Sequence, residues 1–135
     1  MRVVLDTNVF ISGVFFSGPP YLILEAWRDG KITLVASAEI LEEYRRVGRV
    51  LATQFDGVDI EPILALVAVG AEIVLAPALP EPVCRDPDDD KFIACALAGR
   101  CKVIVSGDKA LQQASGYRAI QIMSPRRFME GHLQR

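Results

Sequence analysis

Short runs of β-branched residues alternate along the chain with longer stretches of helical periodicity. Arg2-Val3-Val4-Leu5 is apolar, brief and halted by Asp6-Thr7-Asn8, which predicts a buried strand delivering polar residues at its C-terminal end. Residues 7–24 carry no formal charge, yet Asn8, Ser12, Gly13, Ser17, Gly18, Pro19 and Pro20 interrupt them. A membrane span needs about 20 apolar residues and tolerates few such breaks, so strand end, loop and helix start describe the stretch better. Residues 21–28 predict a helix, with Pro20 suited to its first turn and Gly30 to its stop.

A second strand is expected at 32–36. Ser37 then caps a helix over 38–52, whose apolar stripe is Ile40, Tyr44, Val47 and Leu51, and a polar break follows at Asp56-Gly57. Residues 62–69 read as helix and 72–75 as a third strand. The connection holding Pro77, Pro80 and Pro82 is long and exposed in character. Asp86-Pro87-Asp88 opens a helix running to about Gly99, and 103–105 is a fourth strand ending at Ser106-Gly107-Asp108. A short helix at 109–114, a fifth strand at 119–123 and a last helix from Ser124-Pro125 to Met129 complete the order. Strands alternating with helices predict a three-layer α/β/α domain with a mostly parallel central sheet of about five strands.

The 135 residues make one domain, 1–135, since a domain takes roughly 150 residues. At 51% hydrophobic and 24% charged the chain is an ordinary globule rather than a disordered or collagen-like one. A net charge of −2 excludes the blanket basic surface of a DNA-coating protein. Cys84, Cys95 and Cys101 show neither zinc spacing nor an even disulfide count, so they are expected to pack as free thiols in a reducing compartment. Asp6 leaves no apolar leader after Arg2, and a cytoplasmic location is expected.

Ligands of open α/β sheets bind outside the carboxyl ends of the strands, where Asp6 and Asp108 are expected. On the helix after Ser37, Glu43 lies roughly 90° from the centre of the apolar stripe, nearer the core than Glu39 or Glu42. In the acidic run 86–90, Asp89 and Asp90 both align with Ile93, and spacing does not choose between them. A carboxylate set without Cys or His suits Mg²⁺ or Mn²⁺ rather than zinc. The only histidine, His132, reads as exposed tail, and neither GxGxxG nor GxxxxGK[ST] is present. Lys91, Lys109, Arg45, Arg46, Arg126 and Arg127 are candidate phosphate contacts. Phe15, Phe16 and Tyr21 flank the expected loop after the first strand, where they suit a stacked base, core packing or a dimer contact.

Val3-Val4-Leu5-Asp6-Thr7-Asn8-Val9 resembles the opening strand of PIN-domain nucleases, and Ser37 through Glu43-Tyr44 is similar to their second motif. Asp90-Lys91-Phe92-Ile93-Ala94-Cys95-Ala96 resembles the third, and Val105-Ser106-Gly107-Asp108 the fourth. The order covers essentially the whole chain and looks most like toxin components of the VapC type. The resemblance selects Asp90 over Asp89. It implies a metal-dependent ribonuclease with Asp6, Glu43, Asp90 and Asp108 as catalytic metal ligands and Thr7, Asn8 or Ser106 as polar support. Mg²⁺ or Mn²⁺, an RNA substrate, an antitoxin protein and a homodimer are implied with it. One departure is Ala110, where many relatives carry a further Asp; it favours, as an alternative, a catalytically weak RNA- or partner-binding module. A phosphatase of the haloacid dehalogenase kind would need a second Asp at the position of Asn8.

Overall fold

The computed structural model describes residues 1–55 and 57–133, so Asp56 of the expected polar break lies outside the described residues. Five strands, β1 (Arg2–Leu5), β2 (Thr33–Ala36), β3 (Glu72–Ile73), β4 (Val103–Val105) and β5 (Gln121–Met123), form one parallel sheet in the order β3-β2-β1-β4-β5. Successive strand residues point to opposite faces, and Val3, Val4 and Leu5 are all buried, so helices cover β1 on both sides. The expected α/β architecture is therefore present.

Among the described residues the helices are α1 (Thr7–Phe15), α2 (Pro19–Arg28), α3 (Ala38–Ala52), α4 (Glu61–Gly70), α5 (Asp90–Ala98), α6 (Lys109–Gln112) and α7 (Pro125–Phe128). In α3 the Ser37 hydroxyl accepts from the Ile40 amide at 3.2 Å, and Ile40 and Tyr44 are buried as the stripe required. The Tyr44 hydroxyl donates to the Leu5 carbonyl at 2.5 Å and its ring stacks on Phe10 with centroids 4.3 Å apart. This ties α3 and α1 to the end of β1.

Three expectations are corrected. The segment after β1 is a helix, not a loop: the Asp6 carbonyl accepts from the amides of Val9 and Phe10 at 3.0 and 3.1 Å. Its apolar residues face the core on several sides, so no amphipathic period betrays it. The fifth strand starts at Gln121 rather than 119, because Arg118 and Ala119 sit at φ 48° and 64°, outside the extended region. His132 is not exposed tail: it is half-buried in a wide last turn, Met129–Leu133, with its ring centroid 5.0 Å from that of Phe128.

Phe15 and Phe16 pack on Phe55, with centroids 5.4 and 5.5 Å away, although Phe16 and Tyr21 stay substantially exposed. No single helix among the described residues is long and apolar enough to cross a membrane, and α1 and α2, long enough together, are bent by 90°. The three cysteines are buried and free. Burial pushes their thiols up, to about 12 for Cys84 and Cys95 and about 11 for Cys101, so they pack rather than react.

Candidate metal centre

The chain runs from β1 outward to β2 and β3, then returns across to β4, so the strand order reverses between β1 and β4. A crevice at that switch point is where open α/β sheets hold ligands. Asp6 follows β1 and Ser106-Gly107-Asp108 follows β4, with the Asp6 amide donating to the Val105 carbonyl at 2.9 Å.

Ser106 joins the two acids. Its buried hydroxyl donates to Asp6 Oδ2 at 2.6 Å and accepts from the Asp108 amide at 3.0 Å. Asp6 is buried at the start of α1. Burial raises its pKa, the Ser106 hydroxyl and the amides of Asn8 and Thr7 oppose that rise, and the charge of Asp108 adds to it. Asp108 is exposed and caps α6 through the Ala110 amide at 2.9 Å, so one carboxylate oxygen already has a partner.

Within the acidic run, Asp89 is the residue that feels the charge of both Asp6 and Asp108. Its carboxyl is pushed up to about 6, first by burial and then by the charges of Asp6, Asp86 and Asp108. Asp90, chosen by resemblance, is placed elsewhere: its carboxylate accepts from the Cys84 amide at 2.7 Å and the Val83 amide at 3.3 Å, fastening the preceding loop. A tight turn over Pro87–Asp89, capped by the Asp86 side chain accepting from the Asp88 amide, precedes it. The run of acids signalled both residues, but only the fold of residues 83–84 over Asp90 separates them.

Glu43 lies at the edge of the core as its helical angle required, its side chain 14% exposed. Thr7 donates its hydroxyl to Oε2, while Lys91 approaches Oε1 at 2.8 Å and Arg46 at 3.6 Å. Lys91 was a candidate phosphate contact. It is instead buried, its ammonium also bonded to the Asp88 side chain at 2.8 Å and backbone at 3.0 Å. Burial lowers the proton affinity of Lys91, Asp88 and Glu43 outweigh that, and the ammonium in turn holds Asp88 below the usual carboxylate range.

Of the other expected cations, Lys109 is exposed beside Asp108 and Arg46 reaches Glu43, whereas Arg45 pairs with Glu42 at 3.0 Å and lines a groove between α3 and α4. Arg126 lies 3.9 Å from Glu130 and Arg127 is exposed. Asn8, expected as polar support, is exposed at the mouth of α1. A cleft of about 420 Å³ lies against Asp88, Asp90 and Lys91 and is lined by neither Asp6 nor Asp108.

Among the described residues no three His, Cys, Asp or Glu side chains are gathered into a ready cage for a metal ion. The donor set nevertheless fits a hard divalent cation. Asp6, Asp89 and Asp108 are all oxygen donors, and Asp6 and Asp89 are made harder to ionise first by burial and then by the charge of neighbouring acids. A bound dication would offset that repulsion.

Residues 2–110 match the PIN domain model. The chain is 31% identical to the uncharacterized protein MJ1680 of Methanocaldococcus jannaschii, over 96% of this chain and 90% of that one. Solved structures of low sequence identity share its fold. VapBC2 from Rickettsia felis, bound to a DNA fragment from the promoter, superposes with a TM-score of 0.56 at 14% identity, over 92% of this chain and 98% of that one. FitAcB from Neisseria gonorrhoeae gives a TM-score of 0.53 at 19% identity with the same coverage. With four parallel pairings, acids at the switch point and a family match over most of its length, the chain belongs to the PIN domain family, whose members are typically nucleases.

Proposed function

We propose that the chain is a metal-dependent endoribonuclease that hydrolyses RNA phosphodiester bonds and serves as the toxin of a toxin–antitoxin pair. The observation that carries this reading is the Ser106 hydroxyl, which links Asp6 to Asp108 at the switch point while Asp89 faces the charge of both. Mg²⁺ or Mn²⁺ bound there would polarise the scissile phosphate and lower the pKa of an attacking water. Asp6, Asp89 and Asp108 would hold it; Ser106 fixes the Asp6 carboxylate from behind.

Lys109, next to Asp108 in the chain, and Arg46, which pairs with Glu43, suit the flanking phosphates of a single strand. The toxin role draws on the fold shared with VapBC2 and FitAcB. An antitoxin partner and a homodimer belong to the same reading. Helix α4 buries only Val67 and leaves Leu66 and Val69 exposed, an apolar face of the kind protein partners cover.

The test is cleavage of defined RNAs with Mn²⁺ or with EDTA, comparing the unaltered chain with Asp6→Asn. Cleavage should require Mn²⁺ and fall on the order of 100-fold or more in the variant. Metal-independent cleavage, or equal cleavage by Asp6→Asn, would overturn the metal-dependent enzyme. Binding of Mn²⁺ and RNA without cleavage would favour the binding module that Ala110 suggests.

A further inference from the structure

Lys91 is a buried cation, its side chain 4% exposed. Burying an ammonium is costly unless partners hold it in place. Here the partners are unequal. Asp88 binds Nζ through both its side chain and its carbonyl, three residues back on the same turn, and so anchors the ammonium locally. The remaining bond goes to Glu43 Oε1 on a different helix, at 2.8 Å.

The other Glu43 oxygen accepts from Thr7, the residue next to Asp6. Among the described residues no buried side-chain nitrogen or oxygen lacks a partner. Glu43 is thus clamped from both sides, by a hydroxyl and by a full positive charge. A carboxylate already neutralised in this way gains little from a further cation, which the Lys91 charge would also repel. Among the described residues neither Asp6 nor Asp89 has such an ion pair, and Asp6 is held by the neutral Ser106 hydroxyl instead.

We propose that Lys91 is a positioning residue that withdraws Glu43 from the ligand set: its ammonium pins one Glu43 oxygen while Thr7 pins the other, leaving Asp6, Asp89 and Asp108 to hold the divalent cation. This departs from the role that the family resemblance gives Glu43, and it rests on the metal-dependent reading above. In this arrangement Glu43 and Lys91 form a rigid wall that orients Thr7, and through it the start of α1 where Asp6 sits.

Calorimetric titration of Mn²⁺ into the metal-free full chain reads ligation without reference to turnover. Glu43→Gln and Asp89→Asn each delete one negative charge from the same region, so the difference between them reports direct coordination. Asp89→Asn should lose at least about tenfold more Mn²⁺ affinity than Glu43→Gln. Lys91→Met removes the charge but keeps the apolar stem; it leaves Glu43 Oε1 only the more distant, exposed Arg46 at 3.6 Å and should tighten Mn²⁺ binding about tenfold, a gain absent from the Lys91→Met/Glu43→Gln pair.

Lys91→Arg, retaining the charge, should restore near-parent affinity. Melting curves in EDTA identify any variant that does not fold, and the Glu43→Gln against Asp89→Asn comparison stands without Lys91→Met. Equal losses in those two variants, or weaker Mn²⁺ binding by folded Lys91→Met, overturn the proposal and leave the metal-dependent reading intact. Absence of Mn²⁺ binding by the unaltered chain overturns that reading, and the proposal falls with it.

Discussion

Asp89 carries a proton more readily in the folded chain than in the unfolded one, because its carboxyl is raised from 3.8 to about 6 by burial and by its acidic neighbours. Between those values the folded state binds more protons, so this group's contribution to stability falls as pH rises through the window. Asp89→Asn mimics the protonated form. In EDTA it should therefore melt higher than the parent at pH 8, with the gain fading below pH 6 and absent near pH 4; thermal melts across that range check it. Tyr44 acts at the same scale by a different force. Its buried hydroxyl satisfies the Leu5 carbonyl one residue before Asp6, and Tyr44→Phe should cost about 1–2 kcal/mol in urea unfolding, with no change in net charge to confuse the result.

Helix α1 begins without a connecting loop, and this brings α1 and α2 into close contact across Gly13. A Cβ built there would lie 2.6 Å from Leu24 Cδ1 and 2.8 Å from the Pro20 carbonyl oxygen. The side chain of Leu24 has room to adjust, but the backbone oxygen does not. Gly13→Ala should destabilise the fold by about 1–3 kcal/mol, although alanine is the better helix former, and denaturant titration measures the sign directly. Strand β3 shows the opposite economy. It is two residues long, both exposed, and its edge position needs no more, since the Val74 amide alone extends the pairing to Ala36 at 2.9 Å.

Across the whole molecule, the parallel sheet brings together acids separated by up to about a hundred positions in sequence, as the Asp6 to Ser106 contact does. That convergence stores repulsion that a ligand would relieve. Mn²⁺ at 100 times its dissociation constant should stabilise the native state by about 2.7 kcal/mol, roughly 10 °C in melting temperature for a domain of this size. The shift should vanish with EDTA and shrink in Asp6→Asn. A melt unmoved by Mn²⁺ in the parent would leave the crevice without a cation to explain its acids.

Local pattern was enough for the alternation of strands and helices, the Ser37 cap, the buried stripe at Ile40 and Tyr44, and the core-edge place of Glu43, because each depends on neighbours within a few residues. It was also enough to mark Asp6 and Asp108, since a polar residue ending an apolar strand is visible without a fold. It could not see α1, whose residues are buried on several faces and so lose the helical period. Nor could it tell Asp89 from Asp90 or a solvated Lys91 from a buried one. Those outcomes turn on contacts made across the chain: the amides of Val83 and Cys84 claim Asp90, and Glu43, 48 positions before Lys91 in the numbering, claims its ammonium. Periodicity reports which face of an element is apolar, whereas the charge state and partner of a buried side chain depend on what the rest of the molecule packs against it.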